Sequence, residues 1–177
     1  MAVIKNKELI FESYANDFNS SHPHMAMSVT KMTINLIIGD LVTKNLLDPQ
    51  KKVKYYIPEI GSGYAEATIQ QVLDMDLEND YSEDYSDMFA DVFLHEACWG
   101  WRLSTEKNPE TSQKNFLKNI TNKNGEIKNY SSYANYKSAN TEVLAWIAEI
   151  VSGRSFMDWI IDIVEAILGK KSYEIIG

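Results

Sequence analysis

The chain has 177 residues, of which 45% are hydrophobic and 24% charged, a composition typical of one ordinary globular domain with enough apolar side chains for a core. Its net charge of -8 and pI near 4.9 argue against nucleic acid or an anionic membrane surface as a partner, because clustered Lys and Arg hold both. The single cysteine, Cys98, excludes an intrachain disulfide framework. We therefore expect one domain over residues 1–177, with neither a nucleic-acid nor a membrane partner.

The first predicted elements are a β-hairpin and a loop. Apolar residues 3–4 and 9–11 flank the polar turn at residues 5–8, which is the pattern of two short antiparallel strands. Residues 18–26 contain two serines, a proline and two histidines and are predicted to form a loop that leads into a helix.

Helices are predicted for most of the remaining chain. The first runs from about Ser28 to Asn45, with apolar residues at helical spacing, and ends before Asp48-Pro49. The second begins at Thr68, which forms a capping-box pair with Gln71. Further helices are predicted around residues 88–99, 112–120, 141–152 and 156–168.

Neither a signal peptide nor a transmembrane segment is predicted. Polar residues 5–8 interrupt the apolar residues near the N-terminus. The most apolar stretch, residues 156–168, contains Asp158, Asp162 and Glu165. A cytoplasmic setting is expected if Met1 is the true start of the protein.

The candidate chemistry lies in Ser28-Val29-Thr30-Lys31, at the start of the first predicted helix. Residues three apart share a helix face, so the Lys31 amine can approach the Ser28 hydroxyl. A serine needs a neighbouring base, and a neutral lysine serves where burial or nearby positive charge lowers its pKa. The same spacing in Ser104-Thr105-Glu106-Lys107 lies in a polar stretch, and we interpret it as a solvated helix end.

The sequence around Ser28 indicates which of these two motifs contains the candidate nucleophile. The run Pro23-His24-Met25-Ala26-Met27-Ser28-Val29-Thr30-Lys31 resembles the nucleophile region of the serine beta-lactamase and penicillin-binding-protein superfamily, particularly its 6-aminohexanoate-dimer hydrolase and esterase branch. Residues 3–14 are similar to the early strand pair of that family. Residues 46–48, 56–59 and 72–75 are similar to the segments that come after its nucleophile helix.

A second catalytic element of the family is also recognisable. The run Tyr136-Lys137-Ser138-Ala139-Asn140-Thr141-Glu142-Val143-Leu144 resembles the tyrosine motif that approaches the serine from the helical lobe. The resemblance implies that Tyr136 shuttles a proton with Lys31. Ser138 stands where many relatives have Asn, and the nearby Asn140 is an alternative, so both are candidate substrate-binding residues.

The family resemblance implies an α+β fold of the beta-lactamase and transpeptidase type, with the helical lobe largely present. The central antiparallel sheet would be incomplete and represented by the N-terminal hairpin alone. The resemblance places the remaining strands, and a second oxyanion donor, after Gly177. Slow acylation is therefore expected, together with self-association or a complementing chain that supplies strands.

The chain also departs from the family after Met75. Relatives have a Thr-Ser-Gly-Leu-like stretch there, whereas this chain reads Asp76-Leu77-Glu78-Asn79-Asp80.

The implied function is hydrolysis of a small-molecule amide or ester through an acyl-Ser28 intermediate, with no metal or other cofactor. The alternative is a catalytically silent binding or regulatory module, or an inactive fragment, of the same fold.

His22 and His24 suggest a metal site only weakly, because no further Cys or His lies close by in the sequence. Trp99 and Trp101 are expected to pack, with a cleft-lining role as the alternative.

Overall fold

The computed structural model describes residues 1–105, 111–130 and 133–168, without the side chains of residues 167 and 168. The chain divides into two compact units, Met1–Thr30 and Lys31–Gly177. Half of the Ser104–Lys107 motif, at residues 106 and 107, lies outside the described residues.

The N-terminal unit is built around the predicted hairpin. Strand β1 (Ala2–Lys5) pairs antiparallel with β2 (Glu8–Glu12), and Lys5 lies opposite Glu8. Asn6 and Lys7 connect the strands with φ angles of 51° and 69°, the left-handed conformation that a tight two-residue hairpin turn requires at both positions. The hairpin prediction is confirmed. Among the described residues, these two strands form the only sheet, and the other β-pairings are isolated bridges.

The second unit is helical. Helix α7 (Ser138–Ser152) is at its centre, because α1 (Met32–Thr43), α2 (Val53–Tyr56), α4 (Ile69–Leu73) and α8 (Phe156–Leu168) all pack against it. The remaining helices are α3 (Ser62–Ala65), which packs on α2, and α5 (Asp91–Cys98) and α6 (Gln113–Lys118), which pack on each other.

The burial of α7 is explained by its composition. Apart from Glu142, every residue from 138 to 148 is buried, so this part of the helix is enclosed on nearly all sides, as expected for a helix at the centre of a core. The helix ends at Gly153, whose φ of 67° is the left-handed conformation that favours glycine after a helix. The buried apolar residues of α7 are Ala139, Val143, Leu144, Ala145, Trp146, Ile147 and Ala148.

Two helix starts differ from the sequence prediction. The sequence predicts the first helix from about Ser28, but Met27–Lys31 forms a 3-10 helix and α1 begins at Met32. Helix α7 begins at Ser138 instead of residue 141. Its first residues are small or polar and carry no hydrophobic period, and a carboxylate from elsewhere in the chain satisfies the first turn.

A close backbone approach fixes α3 against the segment that follows α6. The Gly63 N–H donates to the Ile120 carbonyl at 3.0 Å. A Cβ atom at Gly61 would lie 2.2 Å from the same carbonyl oxygen, so no other residue fits there without movement of the backbone. Across the described part of the chain, no helix combines the length and apolar character needed to cross a membrane.

Candidate active site

Ser28 lies in the 3-10 helix Met27–Lys31, which the sequence places directly before α1. The turn is held locally, since the Thr30 hydroxyl donates to the Met27 carbonyl at 2.7 Å and the Val29 N–H donates to the Ala26 carbonyl at 3.1 Å. Met27, immediately before Ser28, has a φ of 48°, a conformation that is uncommon for a residue other than glycine. Ser28 belongs to the N-terminal unit and Lys31 to the helical unit.

Within the helical unit, the structure brings together two residues that belong to separate sequence motifs. The Lys31 Nζ atom lies 5.8 Å from the centroid of the Tyr136 ring. Lys31 is partly buried, whereas the Tyr136 side chain is 48% exposed. The ammonium therefore lies at a distance from the phenol ring at which the two interact favourably.

Two further titratable groups respond to the Lys31 charge. Burial lowers the pKa of His95 on α5 to about 3, and the positive charge of Lys31 adds to that effect. Burial raises the pKa of Glu142 on α7, while Lys31 and a hydrogen bond from the Gln113 side chain oppose the rise. Lys31 is thus electrostatically coupled to side chains of two helices as well as to Tyr136.

The segment that carries Tyr136 is anchored on both sides to residues 75–81. The Asn135 N–H donates to the Met75 carbonyl at 2.9 Å, and Asn135 Nδ2 donates to the Leu77 carbonyl at 3.2 Å. On the other side, the buried Lys137 Nζ donates to the Tyr81 carbonyl at 2.7 Å. The backbone around Tyr136 is therefore held while its ring stays accessible.

Ser138 and Asn140, the two candidate substrate-binding residues, are both buried in the helical unit. The N–H and the hydroxyl of Ser138 each donate to a carboxyl oxygen of Glu83, both at 2.7 Å. Asn140 Oδ1 accepts from the Tyr64 hydroxyl at 2.8 Å, and its Nδ2 donates to the Val72 carbonyl at 3.2 Å. These contacts are structural, and a substrate contact by either residue stays a prediction.

The aromatic and sulfur-containing residues singled out from the sequence pack in different ways. The Trp99 ring centroid lies 4.2 Å from that of His95 and 5.8 Å from that of Trp101, whose side chain is largely exposed. Burial raises the pKa of the Cys98 thiol, which disfavours the reactive thiolate. Packing therefore accounts for Trp99 and Cys98.

The histidines of the N-terminal loop make local contacts. The Asn19 N–H donates to His22 Nδ1 at 3.2 Å, and the rings of His22 and His24 each lie 5.6 Å from that of Phe18, centroid to centroid. Over the residues that the structure describes, no three His, Cys, Asp or Glu side chains come together in an arrangement that could hold a metal ion.

Sequence reasoning missed Glu83, which contacts the start of α7. The sequence pattern assigns residues 76–87 no role beyond their acidic and aromatic character. The sequence around Ser138 carries no signal for this contact. The structure shows that the N-cap residue, Lys137, makes no side-chain capping hydrogen bond, so the first turn of α7 needs a partner from elsewhere in the chain.

The fold and the sequence together define the class of protein. Residues 1–170 match the family model described as Beta-lactamase, and the chain belongs to that family. The expected α+β fold of the beta-lactamase type is confirmed, with eight helices and a two-stranded antiparallel sheet among the described residues.

Within this family, the chain is similar to two proteins that are described as 6-aminohexanoate-dimer hydrolases. The chain is 34% identical over 157 residues to a protein of Paenarthrobacter ureafaciens named 6-aminohexanoate-dimer hydrolase, and the match covers 88% of this chain. It is also similar to a solved structure described as "Putative 6-aminohexanoate-dimer hydrolase from Bacillus anthracis", with a TM-score of 0.70, 27% sequence identity and coverage of 88% of this chain. The match spans 38% of the first relative and 40% of the second.

Proposed function

We propose that this chain carries the nucleophile region of a serine hydrolase that cleaves a small amide or ester through an acyl-Ser28 intermediate. Lys31 acts as the general base that takes the proton of the Ser28 hydroxyl. Tyr136 relays that proton toward the leaving group. Such proton transfers by positioned side chains contribute about a hundredfold to ten-thousandfold to a rate.

The observation that carries this proposal is the proximity of Lys31 and Tyr136. They are far apart in the sequence and belong to two separate motifs, yet the Lys31 amine lies 5.8 Å from the centre of the Tyr136 ring. Once the neutral Lys31 amine has taken the Ser28 proton, it is an ammonium, and its positive charge favours loss of the phenol proton. Tyr136 can then give its proton to the leaving group and take the Lys31 proton in its place. The Tyr136 ring is also accessible to a substrate, because 48% of the residue is exposed.

The assignment of Ser28 is supported by its place in the 3-10 helix Met27–Lys31. A 3-10 helix has three residues per turn, so the three-residue spacing from Ser28 to Lys31 corresponds to one full turn. The approach of the serine hydroxyl to the lysine amine is part of the proposal.

The substrate class is inferred from the relatives. The named reaction of the P. ureafaciens protein is hydrolysis of a 6-aminohexanoate dimer. Two amino-acid units joined as a dimer share an amide bond, so a short linear amide, or the corresponding ester, is the substrate class we propose for this chain. No metal or other cofactor is needed for this mechanism.

A partner is also proposed. Every residue of β1 and β2 is exposed, including the apolar Ile4, Leu9 and Ile10. An exposed apolar strand pair is a template for further strands. We propose that a second copy or a complementing chain pairs with the hairpin. Sedimentation at increasing concentration should show association, and a concentration-independent monomer of the chain alone would rule out the second copy.

The catalytic proposal is tested by hydrolysis of a short-chain p-nitrophenyl ester. Ser28→Ala should abolish turnover, and Lys31→Met and Tyr136→Phe should each lower it about a hundredfold or more. Matched controls are Ser104→Ala, Lys44→Met, whose lysine pairs with Asp40 on the surface, and Tyr133→Phe, whose side chain is 83% exposed. Turnover that is equal in the unmodified chain and in Ser28→Ala would reject the serine mechanism.

A further inference from the structure

The first turn of α7 is satisfied by a carboxyl group from another part of the chain. Both Glu83 carboxyl oxygens accept hydrogen bonds from Ser138, one from its N–H and one from its hydroxyl, each at 2.7 Å. The N-cap residue, Lys137, provides no side-chain cap, and Ser138 is buried, so water does not readily replace Glu83 there. A carboxylate at a helix N-terminus is also favoured by the partial positive charge of that end.

Glu83 lies at the end of the segment that anchors the residues around Tyr136. Asn135 is bonded to the carbonyls of Met75 and Leu77, and Lys137 is bonded to that of Tyr81. These hydrogen bonds lie on both sides of Tyr136, and all of their acceptors fall within residues 75–83. Glu83 supplies the two bonds closest to the helix itself.

The geometry points to Glu83 as a positioning residue for Tyr136. By capping α7 from outside, it fixes where the helix begins and therefore where the tyrosine two residues earlier directs its ring relative to Lys31. This inference rests on the proposed function, in which Tyr136 exchanges a proton with Lys31. Glu83 acts through Ser138 and Lys137 and takes no part in the proton transfer.

Charge supports the same arrangement. Burial lowers the pKa of the Lys137 amine, and the negative charges of Glu78 and Glu83 are among those that oppose the fall. Removal of Glu83 would therefore leave the Ser138 N–H without its acceptor and Lys137 without one of its neighbouring negative charges. Both losses act on residues next to Tyr136.

A small displacement of the Tyr136 ring is expected to lower the reaction rate strongly. A displacement of a reacting group by about 1 Å costs roughly a hundredfold in rate. A Tyr136 ring freed from its position near the Lys31 amine would shuttle protons less efficiently at every pH. It would also be less influenced by the charge of Lys31, which would change the pH dependence of acylation.

The experiment compares Glu83→Ala and Glu83→Gln with the unmodified chain. The Gln side chain keeps one acceptor oxygen, so it should retain one of the two bonds to Ser138. The control is Ser155→Ala, which removes the serine that accepts the Asp158 N–H at the start of α8. That cap lies beyond the opposite end of α7 from Tyr136.

Two measurements are needed, and one does not depend on activity. The first is the NMR signal of the Tyr136 ring in chain labelled with carbon-13 tyrosine, assigned with Tyr136→Phe, together with amide exchange at Ser138. The second is the rate at which a fluorophosphonate labels Ser28 as a function of pH.

Glu83→Ala should shift and broaden the Tyr136 signal, speed Ser138 amide exchange at least about tenfold, and slow labelling by about tenfold to a hundredfold with an altered pH profile. Glu83→Gln should be intermediate, and Ser155→Ala should leave the Tyr136 signal and the labelling rate unchanged. Faster Ser138 exchange with an unchanged Tyr136 signal would overturn the inference, because Glu83 would then only cap the helix. Absence of Ser28 labelling in the unmodified chain would overturn the proposed function, while the Tyr136 signal would still show separately whether Glu83 fixes the tyrosine.

Discussion

The Tyr64 hydroxyl donates a 2.8 Å hydrogen bond to Asn140 Oδ1, and both side chains are fully buried. Burial raises the pKa of Tyr64, so the hydroxyl keeps its proton and remains a donor. Asn140 also donates from Nδ2 to the Val72 carbonyl. One amide side chain on α7 thereby ties α3 and α4 to the central helix.

Replacement of Asn140 by alanine should destabilise the protein strongly. Asn140→Ala leaves the buried Tyr64 hydroxyl without its Asn140 acceptor, and a buried polar group that loses its partner costs about 1 to 3 kcal/mol. It also removes one of the donors to the Val72 carbonyl, which keeps the Met75 N–H at 3.3 Å. We expect the free energy of unfolding to fall by about 3 kcal/mol in urea titrations. Asn115→Ala, at an exposed position of α6, should stay within about 0.5 kcal/mol of the unmodified chain. Equal stability of the two variants would remove the structural role given to Asn140.

Two glycine substitutions should change stability in opposite directions. Gly61→Ala places a Cβ atom 2.2 Å from the Ile120 carbonyl oxygen and 2.7 Å from that of Lys118, so backbone must move, and we expect a loss of about 2 kcal/mol or more. Gly39→Ala lies inside α1, where a Cβ meets nothing within 4 Å, and should gain up to about 1 kcal/mol from helix propensity. Thermal unfolding of both variants checks this. A Gly61→Ala protein as stable as the unmodified chain would show that α3 does not approach the segment after α6 so closely.

His95 should make stability depend on pH. The His95 pKa is about 3 in the folded chain, whereas an unperturbed histidine has a pKa of 6.5, so between these pH values the unfolded state binds the proton and the folded state does not. The free energy of unfolding should therefore fall as pH decreases from about 6.5 toward 3, by at most about 1.4 kcal/mol per pH unit from this group.

The matched variant for His95 is His95→Gln, which does not titrate and can still hydrogen-bond the Tyr81 hydroxyl, the present partner of His95 Nδ1. Urea unfolding at several pH values should show a shallower dependence on pH for this variant. His24→Gln, at an exposed position, should keep the slope of the unmodified chain. An unchanged slope in His95→Gln would mean that His95 takes up its proton equally in both states.

Elements with local determinants are predictable from the sequence. The capping box of Thr68 and Gln71 is present as expected, since both of its hydrogen bonds join residues three apart. The helix Phe156–Leu168 has the predicted bounds, because its apolar period and the preceding glycine are both visible in the sequence.

Elements that depend on distant partners are not predictable in the same way. Helices α2 and α3 have four residues each, too few for a hydrophobic period, and are held by packing and by the approach of Gly61 to Ile120. The early start of α7 depends on Glu83, which no pattern around Ser138 reveals. The family resemblance predicts catalytic roles for Lys31 and Tyr136. The distance of 5.8 Å between the Lys31 Nζ atom and the Tyr136 ring centroid, however, could be read only from the structure.

The central claim, that Ser28 is a nucleophile, is tested most directly by covalent labelling. The chain would be treated with a fluorophosphonate or a strained lactam, and intact-mass spectrometry with peptide mapping would count and locate the adduct. We predict one adduct per chain, located at Ser28 and absent from Ser28→Ala, with slower labelling in Lys31→Met. Labelling that persists in Ser28→Ala, that maps to Ser104, or that does not occur at all would contradict the assignment of Ser28.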